Sequence, residues 1–308
     1  MKVNIVMSTY NGERYLAEQI KSIQNQTFKD WTLLIRDDGS TDETRAIIRA
    51  FAKEDSRIRL INDGQDENYG VIKSFYHLVK FAEADYYFFS DQDDVWLPEK
   101  LAITLTKAHE VGYDGPMLVY TDVTVVNQNL KMLQKSMIKS QSHHANTELV
   151  QELTENTVTG GTMMINKALA DYWQTYDNLI MHDWYLALLA AAFGKLVYID
   201  QPTQLYRQHQ ANVLGARTWS KRLKNWLKPS QLMAKYWWLI TSSQKQAEQL
   251  LALGLSEKSR DLVETYVSLT DQPMIERLRL MKQYDFKKNR HFHTLVFRAL
   301  LVTKLGYQ

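Results

Sequence analysis

Tyr86-Tyr87-Phe88-Phe89-Ser90-Asp91-Gln92-Asp93-Asp94 is an unbroken apolar run that stops in an acidic turn. A short apolar run without polar alternation reads as a strand buried on both faces, the habit of a parallel sheet. Two earlier runs follow the same rule. Residues 3–8 end at Thr9-Tyr10-Asn11-Gly12, and residues 32–36 end at Asp37-Asp38-Gly39-Ser40. Between them the period changes to that of a helix: Leu16, Ile20 and Ile23 in one segment, Ile47, Ile48 and Phe51 in the next, with Ser40 or Thr41 as its cap. Residues 58–61 predict a third strand and 71–81 a third helix, and Pro98 suits the first turn of a helix running to 109. Strands and helices in this alternation predict an α/β chain with a mostly parallel sheet covered on both faces. The polar clusters at 9–12, 37–40 and 90–94 then share one edge, beyond the carboxyl ends of the strands, where such sheets bind ligands.

Further along, residues 117–122 predict another strand, 135–156 a polar, mobile loop, 184–193 an apolar helix and 196–199 a strand. Past about residue 216 the pattern is purely helical. The chain has 308 residues, 45% hydrophobic and 23% charged, ample for a large core. Without cysteine it has no disulfide, thiolate zinc site or cysteine nucleophile. Its net charge of +2 conceals a division. Residues 1–216 hold 20 Lys and Arg against 28 Asp and Glu, whereas residues 217–308 hold 17 against 7. Two units are expected: 1–216, and a basic, aromatic-rich helical region, 217–308. The first apolar run is too short for a signal peptide, and nothing approaches the roughly 20 apolar residues of a spanning helix. The expectation is a cytoplasmic protein.

Three carboxylates within Asp91-Gln92-Asp93-Asp94 repel one another unless a cation sits among them. Oxygen clusters of this kind suit Mg2+ or Mn2+, which complete their shells with phosphate and water. The plainer alternative is an acidic turn in which Asp94 caps the next helix. Asp37-Asp38-Gly39-Ser40 is open in the same way: a carboxylate for a nucleobase N–H or a ribose hydroxyl, or simply an Asx turn.

Together, Ser8-Thr9-Tyr10-Asn11, Asp37-Asp38-Gly39-Ser40, Asn68-Tyr69-Gly70, Asp91-Gln92-Asp93 and Pro98 resemble, in order and spacing, the inverting glycosyltransferases of family 2. The resemblance spans roughly residues 1–215. It implies the GT-A fold, a Rossmann-like, mostly parallel central sheet flanked by helices, here with a C-terminal helical extension. It also implies a nucleotide-binding set: Thr9, Tyr10 and Asn11 lining the pocket, Tyr10 stacking on the base, Asp38 bonding the base and Asp91 near the ribose or metal. Asp93 becomes the principal metal ligand, with His209 of Tyr206-Arg207-Gln208-His209 as a second, and Arg207 a phosphate contact. In Met181-His182-Asp183-Trp184 the family's Glu-Asp pair reads His-Asp. Asp183 takes the place of the catalytic base, kept ionised by a helix N-terminus. Gly161, Thr162, His182 and Trp184 would lie at the acceptor or phosphate. The Gly160-Gly161 turn is explained by close backbone approach or by a positive φ. His143 and His144 receive no role.

The acidic turn, Tyr206-Arg207-Gln208-His209 and the His-Asp pair further resemble bacterial rhamnosyltransferases of cell-wall or capsular polysaccharide assembly. That implies dTDP-L-rhamnose as donor, a UDP-sugar being the alternative, and a lipid-linked saccharide as acceptor. Trp219, Lys221, Arg222, Lys224, Trp226, Lys228, Tyr236, Trp237 and Trp238, with Lys287-Lys288-Asn289-Arg290, interleave base and aromatic. Such a tail reads as peripheral contact with an anionic membrane at the inner face of the plasma membrane, or as helices packed on the body or a second copy of the chain. No nucleic-acid module is recognisable. Two other readings stand beside these: a nucleotidyltransferase, disfavoured because residues 8–13 lack a basic, glycine-rich phosphate loop, and a non-catalytic carbohydrate- or membrane-binding protein of the same fold.

Overall fold

The computed structural model of the chain describes residues 1–209 and 229–307. The expected boundary at 216/217, the residues after His209 in its motif, and Trp219, Lys221, Arg222, Lys224, Trp226 and Lys228 lie outside the described residues. The strands are β1 (Val3–Thr9), β2 (Trp31–Asp37), β3 (Ile58–Leu60), β4 (Tyr86–Ser90), β5 (Val95–Trp96), β6 (Met117–Asn127), β7 (Met132–Gln134), β8 (Met163–Asn166) and β9 (Lys195–Gln208). They form one curled sheet in the order β3-β2-β1-β4-β8-β6-β9-β5, with β7 beside β6. Strands β1 to β4, β6 and β9 share a direction, and the shorter β5, β7 and β8 oppose it. The sheet is therefore mostly parallel, as expected. The apolar runs that opened β1, β2 and β4 are buried on both faces, which explains their lack of alternation.

Helices α1 (Leu16–Gln24), α2 (Thr44–Glu54), α3 (Val71–Phe81) and α4 (Lys100–Val111) cover the first sheet strands, and α5 (Leu149–Thr154), α6 (Lys167–Tyr172) and α7 (His182–Phe193) follow. Helices α8 (Pro229–Glu248), α9 (Glu257–Ser268), α10 (Met274–Gln283) and α11 (His291–Thr303) complete the described chain. One apolar cluster runs without a break from Phe89 of β4 through Leu186 and Leu189 of α7 to Trp237, Tyr266 and Phe297 of the last helices. Polar ties follow the same route: Ile180 N donates to Gln246 Oε1 (2.9 Å) and Thr154 Oγ1 to the Lys287 carbonyl (2.6 Å).

Several expectations are corrected. Residues 135–156 are not a loop throughout: they contain a π-turn at Ile138–Ser142 and α5, whose Leu149 and Leu153 are buried. A reciprocal capping box between Glu148 and Gln151 starts α5, and Asp122 gathers the backbone N–H groups of Met137 and Ile138 at 3.1 and 3.2 Å. Neither Ser40 nor Thr41 caps α2. Ser40 Oγ donates to Asp37 (2.6 Å) and accepts from Asn11 N (2.9 Å), so the helix opens later, where Asp42 accepts Thr44 N (3.0 Å). Strand β9 runs on through Pro202, and the irregularity is absorbed as register shifts against β6 near Asp122.

Candidate active site

The three polar clusters meet at one sheet edge. Gln92 clamps the first to the third, its Oε1 accepting Tyr10 N and its Nε2 donating to the Tyr10 carbonyl, both at 2.9 Å. Asn11 Oδ1 accepts Thr41 N (2.9 Å), tying the first to the second. The backbone of Tyr10 is thus fixed while its ring, 52% exposed, stands free at the edge. Thr9 is buried, with its hydroxyl donating to Asp37 (2.9 Å).

Asp37 and Asp38 do different work. Burial opposes the charge of Asp37, but hydrogen bonds from Ser40, Arg45 and Thr9 outweigh it and hold the carboxyl below its ordinary range. Asp38 is ion-paired to buried Arg36 and accepts Tyr69 N at 2.6 Å and Ser74 Oγ at 3.0 Å on Oδ1. Its Oδ2 accepts only Gly70 N (2.8 Å) among these contacts, so one lone pair of that oxygen has acceptor capacity to spare. Gly70 reaches this position with φ of 75°, which a side chain would strain.

In the acidic turn the labour is split. Asp93 Oδ2 lies 2.6 Å from His209 Nε2, at the surface end of the cluster. Asp94 is fully buried, and the expected helix cap is overturned: it accepts Gln204 Nε2 (2.8 Å) and Arg207 N (3.0 Å), while α4 starts at Lys100 behind Glu99. Burial, then the charges of Asp91 and Asp93, push Asp94 well above the carboxylate range. Burial and the neighbouring Asp93 raise Asp91 to about 7. Such mutual elevation is what a cation relieves. Among the described residues no three His, Asp or Glu side chains converge. Asp93 and His209 nevertheless fit Mg2+ or Mn2+, hard ions that take one or two protein ligands and fill the remaining positions with phosphate and water.

Asp183 sits in the first turn of α7. Its carboxylate accepts Trp184 N (2.6 Å), Gly160 N (3.1 Å) and Asn156 Nδ2 (3.3 Å). The expectation that the helix N-terminus keeps it ionised is reversed in direction: desolvation outweighs these donors and lifts it to about 7. The adjoining glycines lie between this carboxylate and the acidic turn. A Cβ on Gly161 would meet Asp91 Oδ2 and Gln204 Nε2 at 3.0 Å, and one on Gly160 would meet His182 Nε2 at 3.2 Å. Close approach explains both residues, and neither has a positive φ.

Four other expected contacts are occupied elsewhere. Thr162 is buried and its hydroxyl donates to the Thr159 carbonyl (2.7 Å). Trp184 is buried with its indole N–H on the Glu152 carbonyl (2.7 Å). His182 is enclosed, stacked on Phe75 (4.4 Å) and Phe89 (5.6 Å), and burial lowers its pKa to about 3. Arg207, instead of reaching outward for phosphate, is buried. Its Nε donates to the Asp93 carbonyl and its Nη1 to the Gln128 carbonyl, both at 2.8 Å, and it pairs with Glu18. It shapes the turn that carries Asp93.

Sequence reasoning missed Gln92, Asn156, Gln204 and Lys100. For Lys100 a signal existed: with Leu101, Thr104, Leu105 and Ala108 it falls on the buried stripe of α4, where a lysine needs partners.

A family model, Glycosyl transferase family 2, matches residues 4–173 of this chain. The chain belongs to glycosyltransferase family 2. The dTDP-rhamnosyl transferase RfbG of Shigella flexneri is 31% identical over 223 residues, 68% of this chain and 74% of that one. In fold, the chain is similar to S. aureus TarS 1-349 in complex with UDP-GlcNAc, with a TM-score of 0.56 at 18% identity over 100% of this chain and 93% of that one. It is also similar to the mannosyltransferase PcManGT of Pyrobaculum calidifontis in complex with GDP-Man and Mn2+, with a TM-score of 0.52 at 14% identity over 97% and 86%. Against the longer TarS chain the likeness covers 43% of that chain. These structures are GT-A glycosyltransferases, and the fold here is theirs. No helix among the described residues is long and apolar enough to cross a membrane.

Proposed function

We propose that this glycosyltransferase inverts the anomeric centre of L-rhamnose, taken from dTDP-L-rhamnose, and passes the sugar to a lipid-linked saccharide in cell-wall or capsular polysaccharide assembly. The observation that carries the reaction type is Asp183: a half-buried carboxyl near neutrality, joined by two consecutive glycines to the donor-side carboxylates. A general base works best with a pKa near the working pH. The acceptor oxygen bonds to the anomeric carbon as the bond to the diphosphate breaks, and the acceptor proton passes to Asp183. On the donor side the spare lone pair of Asp38 Oδ2 receives the base N–H, and the Tyr10 ring stacks on the base. Asp93 and His209 would hold Mg2+ or Mn2+, which when bound offsets charge on the diphosphate. RfbG supports the rhamnosyl donor, and the complex of TarS keeps a UDP-sugar as the second candidate.

The division at 216/217 stays part of this proposal, as does contact of the tail with an anionic membrane. In support, Met274, Ile275 and Leu278 are exposed on one face of α10 with Lys282 among them. A second copy of the chain is the competing occupant of that face.

A donor screen tests the reading. Nucleoside diphosphate release is measured from dTDP-L-rhamnose and UDP-hexoses with lipid-linked saccharide acceptors, with and without EDTA. Release from dTDP-L-rhamnose that EDTA abolishes is expected. Release from a UDP-hexose alone sinks the donor assignment, and equal rates in EDTA remove the metal. Binding without release from any donor favours a non-catalytic protein.

A further inference from the structure

Lys100 is a lysine with no exposed surface, standing behind the acidic turn and outside every role given above. Its Nζ donates to two acceptors at 2.5 Å, the Gly161 carbonyl and Gln204 Oε1. Each leads onward. Gln204 Nε2 donates to Asp94 Oδ2 (2.8 Å), and Asp94 fixes Arg207 N, whose guanidinium holds the Asp93 carbonyl. In the other direction Gly161 follows Gly160, whose N–H donates to Asp183 Oδ2 (3.1 Å). The Trp96 ring lies 4.4 Å from the ammonium, and the charges of Asp94 and Asp91 act on it as well.

Burying an ammonium is costly unless every partner is in place, so such a residue survives only where its geometry is used. Main-chain contacts leave that role open. The turn Gly160–Thr162 has no side chain at its first two positions to anchor it, and the Thr162 hydroxyl is spent within the turn. Their N–H groups go to Asp183 and Asp91, and Lys100 is the side chain that holds the Gly161 carbonyl. It sits between two halves that come from distant parts of the chain, β4 with its acidic turn and the turn before β8.

We propose that Lys100 is a positioning residue for transfer, setting the Gly160-Gly161 turn, and through it the Asp183 carboxylate, at a fixed distance from the donor-side turn. This rests on Asp183 being the base. The residue touches neither reactant, so its loss is felt in the chemical step and little in donor binding. A displacement of about 1 Å at a reacting group costs on the order of 100-fold in rate.

The test is a double-mutant cycle on the full chain, with Lys100→Met, Asp183→Asn and the pair. Turnover is read as nucleoside diphosphate release, and dTDP and dTDP-L-rhamnose affinity by calorimetry. For Lys100→Met the expected result is kcat reduced about 100-fold with the donor KM and Kd within about threefold. In the Asp183→Asn background the same change is expected to alter the residual rate by less than about twofold, because a residue acting through the base has nothing left to act on. Full additivity in the pair, or a donor Kd that rises while kcat holds, overturns the proposal. Should Lys100→Met fail to fold, Gln204→Leu cuts the link on its donor side and leaves Lys100 on Gly161. A tenfold loss confined to kcat supports the proposal, and an unchanged kcat overturns it. Failure of the underlying reading looks different: Asp183→Asn itself then keeps full activity, whatever Lys100 does.

Discussion

Asp38 and Asp183 are both carboxylates at the ends of elements that open onto one sheet edge, and their surroundings are opposites. Asp38 is paired with Arg36 and takes donors from Tyr69, Gly70 and Ser74. Asp183 has three neutral donors, no cationic partner among its hydrogen bonds, and a pKa lifted to about 7 by desolvation. The first is a fixed acceptor that the fold depends on. The second is a group left near the balance point between its two protonation states, at a cost to stability. A carboxylate paired with a cation is held as a fixed acceptor, whereas one with neutral donors alone can be poised to move a proton.

Substitution breaks the comparison most sharply at Asp183. Asp183→Asn is expected to lower kcat by roughly 100- to 10,000-fold with nucleotide affinity preserved, measured by donor turnover beside calorimetry. Asp93→Asn comes next. It should cost about 100-fold or more and shift the Mg2+ or Mn2+ concentration needed for half activity upward, read from a metal titration. The pH profile follows: because the base proposed at Asp183 acts in its deprotonated form, kcat should rise about tenfold per pH unit below about 7 and level off above it.

Stability should run the other way. Asp38→Asn leaves the Arg36 guanidinium buried without its counter-charge and should cost about 3–5 kcal/mol, seen as a lower urea midpoint. Asp183 is raised above its ordinary 3.8, so the folded chain holds this proton more tightly than the unfolded one. Its contribution to stability therefore falls as pH rises from about 4 through about 7. Asp183→Asn removes that penalty. It should melt about 2–4 °C higher than the parent at pH 8, a gain of roughly 1 kcal/mol, and no higher at pH 4. The smallest effect on turnover belongs to the far end of the chain. Ile275→Glu with Leu278→Glu should abolish flotation on anionic vesicles while transfer to a soluble acceptor stays within about twofold.

The meeting of the three polar turns at one sheet edge was legible in the sequence, because each is a contiguous turn after an apolar run. Val71–Phe81 and Tyr86–Ser90 match their predicted bounds for the same reason: period and punctuation are local signals. The surroundings of Asp183 were less so. Asp183 could be singled out, but its raised pKa could not, since desolvation depends on what packs around it from α5, β4 and the glycine turn. Thr162, His182, Trp184 and Arg207 were read as contacts because they flank motifs. Their side chains turn instead toward carbonyls and rings supplied by distant segments. Helix α5 was missed because one and a half turns carry too little periodicity, and its capping box starts at Glu148 and not at a serine or threonine.

The unbroken apolar cluster that joins Leu186 and Leu189 to Trp237, Tyr266 and Phe297 has a consequence for how such a chain can change over time. The helix bearing Asp183 shares this cluster with the last helices, and α5 lies between them, its Leu149 and Leu153 in the same core. Recombination that exchanged the tail for another would disturb the core behind Asp183 as well as the outer face. New acceptor preferences are therefore expected to arise by point changes along both halves in concert. The tail shares one core with the helix of Asp183 and cannot be grafted like a detachable module.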